Sequence, residues 1–164
     1  MPASPTGRAA ELIATLKLLP HPEGGFYRET FRSAQRVETA DGRGARSALT
    51  HIDFLLARGQ FSAWHRVASD ELWHLLEGGP LRLWLIPPSM DRIECVDLGS
   101  VDATTAPRLA VPAAWWQAAE ALGDYAYIGA TVAPGFEFAD FTFLRERAEA
   151  AALDRLAPAL TRLL

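Results

Sequence analysis

Apolar and polar residues alternate with a period of two through most of the middle of the chain, the spacing of half-buried strands. Along residues 47–56, Thr50, Ile52, Phe54 and Leu56 share one face, and His51 and Asp53 take the other, where a surface role is expected. Along residues 25–33, Tyr27, Glu29 and Phe31 share a face opposite Phe26, Arg28 and Thr30. The same pattern predicts strands over 61–67, 71–77, 81–86, 93–98, 108–111, 115–119, 125–132 and 136–143. Gly78-Gly79-Pro80, Pro87-Pro88, Pro112, Gly123 and Pro134-Gly135 punctuate them.

At both ends the period becomes helical. Residues 8–18 read as a short amphipathic helix with Leu12, Ile13 and Leu16 as its apolar stripe, Thr6 as its cap, and Pro20 and Pro22 as its end. Residues 145–164 read as a helical segment broken at Pro158. Residues 34–46 are polar, with Asp-Gly and Arg-Gly steps, and predict a loop or wide hairpin connection; residues 1–7 predict a loose tail. Many short strands with helices only at the ends describe an all-β sandwich or barrel. One domain spans 1–164, with its helix at about 8–18, its β-sandwich at about 25–143 and its C-terminal helical segment at about 145–164.

Composition narrows the function. The formal net charge of −4 lacks the basic excess of a nucleic-acid binder, so no nucleic-acid partner is expected. No apolar run approaches the roughly 18 residues of a membrane span, and the start lacks a signal-peptide pattern. Cys95 is the single cysteine, so neither an intrachain disulfide nor a thiolate metal cluster is expected, and a reducing cytoplasm is the expected location.

The densest chemistry lies in residues 59–80, GQFSAWHRVASDELWHLLEGGP. Gly59, His65, Val67, Glu71 and Gly78 resemble the first motif of the cupins, G-x5-H-x-H-x3,4-E-x6-G, and Pro112, Ala114 and Gln117 echo the second, P-x-G-x2-H. The blocks PHPEGGFYRETFRS, WHRVASDELWH, VPAAWWQAA and TVAPGFEFADF are similar to those of a small cupin-like family of uncharacterised function, cupin type 5. That family is distantly similar to sugar-nucleotide epimerases. The resemblance implies a double-stranded β-helix, the jelly-roll sandwich, with a small-molecule pocket between its sheets. In standard cupins two histidines and a glutamate of the first motif and a histidine of the second hold a metal. The matching positions here are His65, Val67, Glu71 and Gln117, so a divalent metal would rest on His65, Glu71 and Gln117 alone, a poor set for Zn2+ or Fe2+.

Strand parity puts His65 and Val67 on one face and Glu71, Trp73 and Leu75 on another, and in a cupin register these point inward, with Gln117 and Trp115. His65 and Glu71 then form either an acid–base pair or a hydrogen-bonded cluster that orders the core. Tyr127 is a candidate acid partner to a histidine base. On residues 25–33, Glu29 would add a second carboxylate if the Tyr27 face lines the pocket, and Arg28 would hold an anionic ligand if the other face does. Trp64 and Trp116 suit ring stacking, a core or an interface. His74 falls opposite Glu71, His21 reads as a loop residue, and Glu137 and Asp140 read as solvated acids.

Three readings stay open. The first is a pocket for a small sugar- or carboxylate-like ligand, with isomerase or epimerase chemistry on His65, Glu71 and Tyr127 and ligand contacts from Tyr27, Arg28, Glu29, Trp73, Trp115 and Gln117. The second is a metal-dependent cupin, and the third a non-catalytic binding module. A homodimer is also expected, because a jelly roll has sheet edges to protect.

Overall fold

The structure, a computed structural model, describes residues 5–164. The expected tail falls mostly on residues 1–4, outside the described residues. Helix α1 covers Gly7–Leu16. Strands β1 (Leu19–Pro20), β2 (Phe26–Arg32), β5 (Thr50–Ala57), β12 (Tyr125–Ala133), β7 (Asp70–Gly78) and β10 (Arg108–Val111) form one antiparallel sheet in that order. Strands β13 (Phe141–Phe143), β6 (Phe61–Val67), β11 (Trp116–Ala121), β8 (Leu81–Ile86) and β9 (Glu94–Leu98) form the facing one. A separate hairpin pairs β3 (Arg36–Glu38) with β4 (Ala45–Ser47), within the stretch read as a loop or hairpin connection. This is the expected jelly-roll sandwich.

Three apolar layers hold it together. Between the sheets, Phe54, Trp73, Leu83, Leu98, Val111 and Ile128 form a buried core. On the outer face of the six-stranded sheet, Ala9 and Leu12 of α1 cover Leu55 and Ala57. On the outer face of the five-stranded sheet, Trp64 and Trp116 are buried under Leu144, Leu153, Leu160 and Leu163. Trp64 Nε1 also donates to the Leu160 carbonyl at 3.1 Å. The two tryptophans therefore belong to a core that the C-terminal segment closes.

Several boundaries differ from the expectation. Thr6 occupies the N-cap position of α1 but makes no side-chain capping bond, and the helix ends at Leu16, before the prolines, with Lys17 in the left-handed conformation. The C-terminal segment is a 3-10 turn at Leu144–Glu146, a short helix α2 (Ala150–Leu156) and a further 3-10 run from Pro158 to Leu163. Residues 136–143 are not one strand: a 3-10 turn occupies Phe138–Asp140, and only Phe141–Phe143 pairs with β6. Asp140 is the last residue of that turn. Its carboxylate accepts from Arg43 Nη1 at 2.8 Å and from Arg46 Nε and Nη2 at 2.8 and 2.9 Å. Far from being solvated, Asp140 is buried and fastens the β3–β4 hairpin to the sandwich, and the hydrogen bond from Arg46 holds its pKa below the ordinary value.

Closure by the C-terminal segment is testable. Leu153 is fully buried against Trp64 and its neighbours. Leu153→Ala is expected to cost about 2–5 kcal/mol in urea unfolding, with tryptophan emission shifted to the red; unchanged stability would refute the assignment.

Candidate functional site

Four elements converge on one polar cluster at the end of the sandwich core. His65 comes from β6 and Gln117 from the position opposite it on β11. Glu71 and Trp73 come from β7 in the other sheet. Glu23 enters from the loop between β1 and β2. Its position depends on the two glycines that follow it. At Gly24 (φ +111°) a Cβ would collide with the Phe61 carbonyl oxygen, and at Gly25 (φ +69°) one would lie 2.6 Å from the Leu55 oxygen. The loop therefore lies against the strands, and Ala63 N donates to the Glu23 carbonyl at 2.7 Å.

The hydrogen bonds form a connected set. Trp73 Nε1 donates to Gln117 Oε1 at 3.0 Å. Gln117 Nε2 then faces Glu71 Oε2 at 2.5 Å and His65 Nε2 at 3.1 Å. An indole N–H only donates, so the amide cannot be turned over without setting donor against donor. Across His65, Nδ1 lies 2.7 Å from the Ala63 carbonyl, which makes Nδ1 the protonated nitrogen and leaves Nε2 as a lone pair in the neutral ring. Glu23 Oε2 lies 3.3 Å from that Nε2, and Glu23 Oε1 accepts from Ser62 Oγ at 2.8 Å. His65 stacks on Phe141 at 5.1 Å between centroids.

Burial sets the protonation. It pushes Glu23 up to about 8, against the hydrogen bond from Ser62. It pushes Glu71 up to about 7, opposed by the charge of His65 and reinforced by that of Glu23. His65 is lowered by burial, against the pull of Glu71 and the bond to Ala63. His21, buried nearby, is lowered to about 4 by burial and then by repulsion from His65. The directions agree: a neutral imidazole faces a carboxyl that keeps its proton near neutral pH.

The cluster opens onto a cavity of about 220 Å3. Its wall includes Tyr27, Phe54, Val67 and Trp73 from the strands, with Phe136 and Phe141 from the segment that Asp140 anchors. At its mouth Arg32 donates to Glu29 at 2.9 and 2.8 Å and to Glu137 at 2.9 Å. A β-bulge between Glu29 and Phe31 allows this pairing. Tyr27 and Glu29 sit opposite the pocket residues Phe54 and Ile52, and past the bulge Arg32 sits opposite Thr50, so Glu29 and Arg32 share a face although three positions apart.

The candidate residues now separate. His65, Glu71, Trp73, Tyr27 and Glu29 line the cavity, and Gln117 binds those at its floor. Arg28 borders the cavity, but its Nη1 donates to the Leu16 carbonyl on the α1 side, so it is not positioned to hold an anion inside. Tyr127 faces away: its hydroxyl donates to Asp53 at 3.0 Å, and its ring packs with the α1 core, because the inward positions of β12 are Ile128, Ala130 and Val132. It cannot partner His65. Trp115 precedes β11 and packs against the sandwich core under the Arg92 guanidinium rather than lining the cavity. Within the cluster, Glu71 is held by Gln117, and Glu23 is the carboxyl at His65. Glu23 and His21 were not among the expected site residues. The signal was the block HPEGG, a histidine and an acid fixed before a double glycine.

A family model described as Cupin superfamily (DUF985) matches residues 10–144. The chain belongs to this family. Two solved cupin relatives are a hypothetical protein from Leishmania major and a protein from Shewanella oneidensis. Each is 30% identical with a TM-score of 0.81, and the matches cover 96% and 97% of this chain and 96% and 98% of theirs. Oxalate decarboxylase from Bacillus subtilis shares the fold at 16% identity and a TM-score of 0.57, over 83% of this cupin and 33% of the decarboxylase. No curated protein matches the chain.

Membership of the cupins supports a ligand-binding or metal-dependent site, and the donor set of this cupin distinguishes them. Val67 offers no donor. Gln117 directs its N–H groups, not its oxygen, at His65 and Glu71. Among the described residues no three His, Cys, Asp or Glu side chains are grouped to hold a metal ion. The site is therefore a poor fit for a cupin metal and a good one for proton chemistry.

The buried acids and histidines make stability depend on pH in opposite senses. The carboxyls support folding fully below their ordinary pKa of 4.5, and this is lost as pH rises through about 7 for Glu71 and about 8 for Glu23. His21 supports folding fully above 6.5, and this is lost as pH falls through about 4. Maximum stability is expected between these limbs. Glu23→Gln should flatten the alkaline limb, raising Tm at about pH 8.5 by at least roughly 2–4 °C, near 1 kcal/mol for a domain of this size. Scanning calorimetry showing the same alkaline limb in both proteins would sink this account.

Proposed function

We propose that the cavity binds a small polar molecule and that His65, with Glu23 and Glu71, moves a proton to or from it without a metal. The observation that carries this is the contact of His65 Nε2 with Glu23 Oε2 at 3.3 Å on the floor of a largely apolar cavity. A neutral imidazole is a base at Nε2, where its lone pair accepts a hydrogen bond from the Gln117 amide, and a carboxyl that retains its proton near neutral pH is an acid. Glu71, held by Gln117, supplies negative charge that stabilises the imidazolium formed when His65 takes a proton. An apolar enclosure excludes water, which strengthens these effects. The reaction class is isomerisation or epimerisation, in which a proton leaves one position and another returns. Support for that class is an analogy of fold with sugar-nucleotide epimerases.

A thermal-shift screen of small sugars, acids and amines identifies the ligand, and turnover of the hits tests the chemistry. His65→Ala is expected to lower kcat by about 10^2–10^4-fold, and Glu23→Gln to lower it while leaving ligand-induced stabilisation in place. The rate should rise with pH as His65 loses its proton and fall as Glu23 loses its own, through about 8. Full turnover by His65→Ala would refute the catalytic role. Ligand that stabilises the protein and is recovered unchanged would favour the binding module. A stoichiometric divalent ion in chelator-free protein, lost in His65→Ala, would overturn the metal-free reading.

A further inference from the structure

We infer that the ligand is a small organic cation, in the simplest case a primary ammonium attached to a flat apolar body. The inference rests on the cavity being a small-molecule site, and it narrows the ligand from any small polar molecule to one charge class. Four carboxyl groups line the cavity, Glu23 and Glu71 at its floor and Glu29 and Glu137 at its mouth. Arg32 is the guanidinium set among them, and its N–H groups already make four bonds, two to Glu29, one to Glu137 and one to the Phe136 carbonyl. Arg28, the other arginine at the border, is turned to the Leu16 carbonyl. An anionic ligand would enter among acids and, among the described residues, meet no available cation.

Glu71 is 7% exposed, and one of its oxygens is taken by Gln117. Among the described residues the other oxygen, Oε1, has no hydrogen-bond donor, yet it is not one of the occluded unpaired atoms. It is a desolvated acceptor open to the cavity. A sugar would bring several hydroxyls against walls that are mostly aromatic or aliphatic, at a cost for each one left unpaired. An ammonium needs acceptors and aromatic faces. Glu71 Oε1 supplies the first, and Tyr27, Trp73, Phe136 and Phe138 supply ring surface around it. Phe138 is 56% exposed at the mouth and stacks on His21 at 6.4 Å, an aromatic held at the entrance without being buried in the core. The volume of about 220 Å3 lies below the roughly 300–1,000 Å3 of drug-sized pockets, which restricts the occupant to one small ring or its equivalent.

Three probes of one shape test the charge: benzylammonium, benzyl alcohol and benzoate, compared by calorimetric titration and by the NMR signal of the Trp73 indole. Benzylammonium is expected to bind about tenfold or more tighter than benzyl alcohol, with benzoate weakest. Glu71→Gln should remove most of that preference. Glu137→Gln, a change at an exposed position, should weaken benzylammonium a few-fold and leave benzyl alcohol unchanged, so the test survives if Glu71→Gln does not fold. Benzyl alcohol or benzoate binding as tightly as benzylammonium would overturn the inference while leaving the small-molecule pocket standing. Failure of all three to perturb Trp73 would also overturn it; failure of the broader ligand screen as well would remove the pocket reading.

Discussion

One indole N–H constrains this site. Trp73 Nε1 lies 3.0 Å from Gln117 Oε1, and because it only donates, it decides which end of the amide faces the cluster. The consequence passes from one sheet to the other. With its nitrogen turned inward, Gln117 requires an acceptor on Glu71 and a lone pair on His65 Nε2. The Ala63 carbonyl at 2.7 Å takes the remaining proton of His65 and completes the tautomer. A buried amide thus does in this chain what a metal does in many cupins: it holds an imidazole from one sheet and a carboxylate from the other in fixed relation. The chemistry left to the site is that of protons and charge.

The scaffold keeps that arrangement at some cost. Glu23 and Glu71 are both buried, and burial is the main reason their pKa values rise to about 8 and about 7. Such groups are carried by the apolar layers around them: α1 on one outer face, the C-terminal segment on the other, and the core between the sheets. Two local devices refine the cavity. Gly24 and Gly25 let the Glu23 loop lie against Phe61 and Leu55. The buried Asp140, at the end of a 3-10 turn and held by Arg43 and Arg46, anchors the aromatic segment 136–141 along the wall. Both Asp140 oxygens accept from arginine, and the two guanidinium side chains keep some contact with solvent, which limits the desolvation cost of the buried pair.

The sequence alone determined the fold and the centre of the site. Alternation with a period of two, broken by Gly and Pro, is a direct consequence of strand geometry, so Ile52 could be grouped with Phe54, His65 with Val67 and Glu71 with Trp73 without coordinates, and the cupin resemblance turned the last two pairs inward. The cupin motif added Gln117. Parity also put His51 and Asp53 on the face opposite Ile52 and Phe54, and the structure directs both outward, with His51 bonded to Thr131; Tyr127, expected to partner a histidine base, is instead turned outward and bonded to Asp53.

Tertiary structure decided the rest, because it depended on contacts that strand parity does not encode. A bulge after Glu29 shifted the alternation and brought Arg32 to the pocket face. The direction of the Gln117 amide was set by a tryptophan 44 positions away. Most of all, Glu23 and His21 sit in a loop, where no periodicity reports facing, and only the close approach of that loop to β6 brings a second carboxyl to His65. A repeating backbone makes strand residues legible from a one-dimensional pattern. A loop has no repeat, so the partner it supplies becomes visible only when the chain is folded.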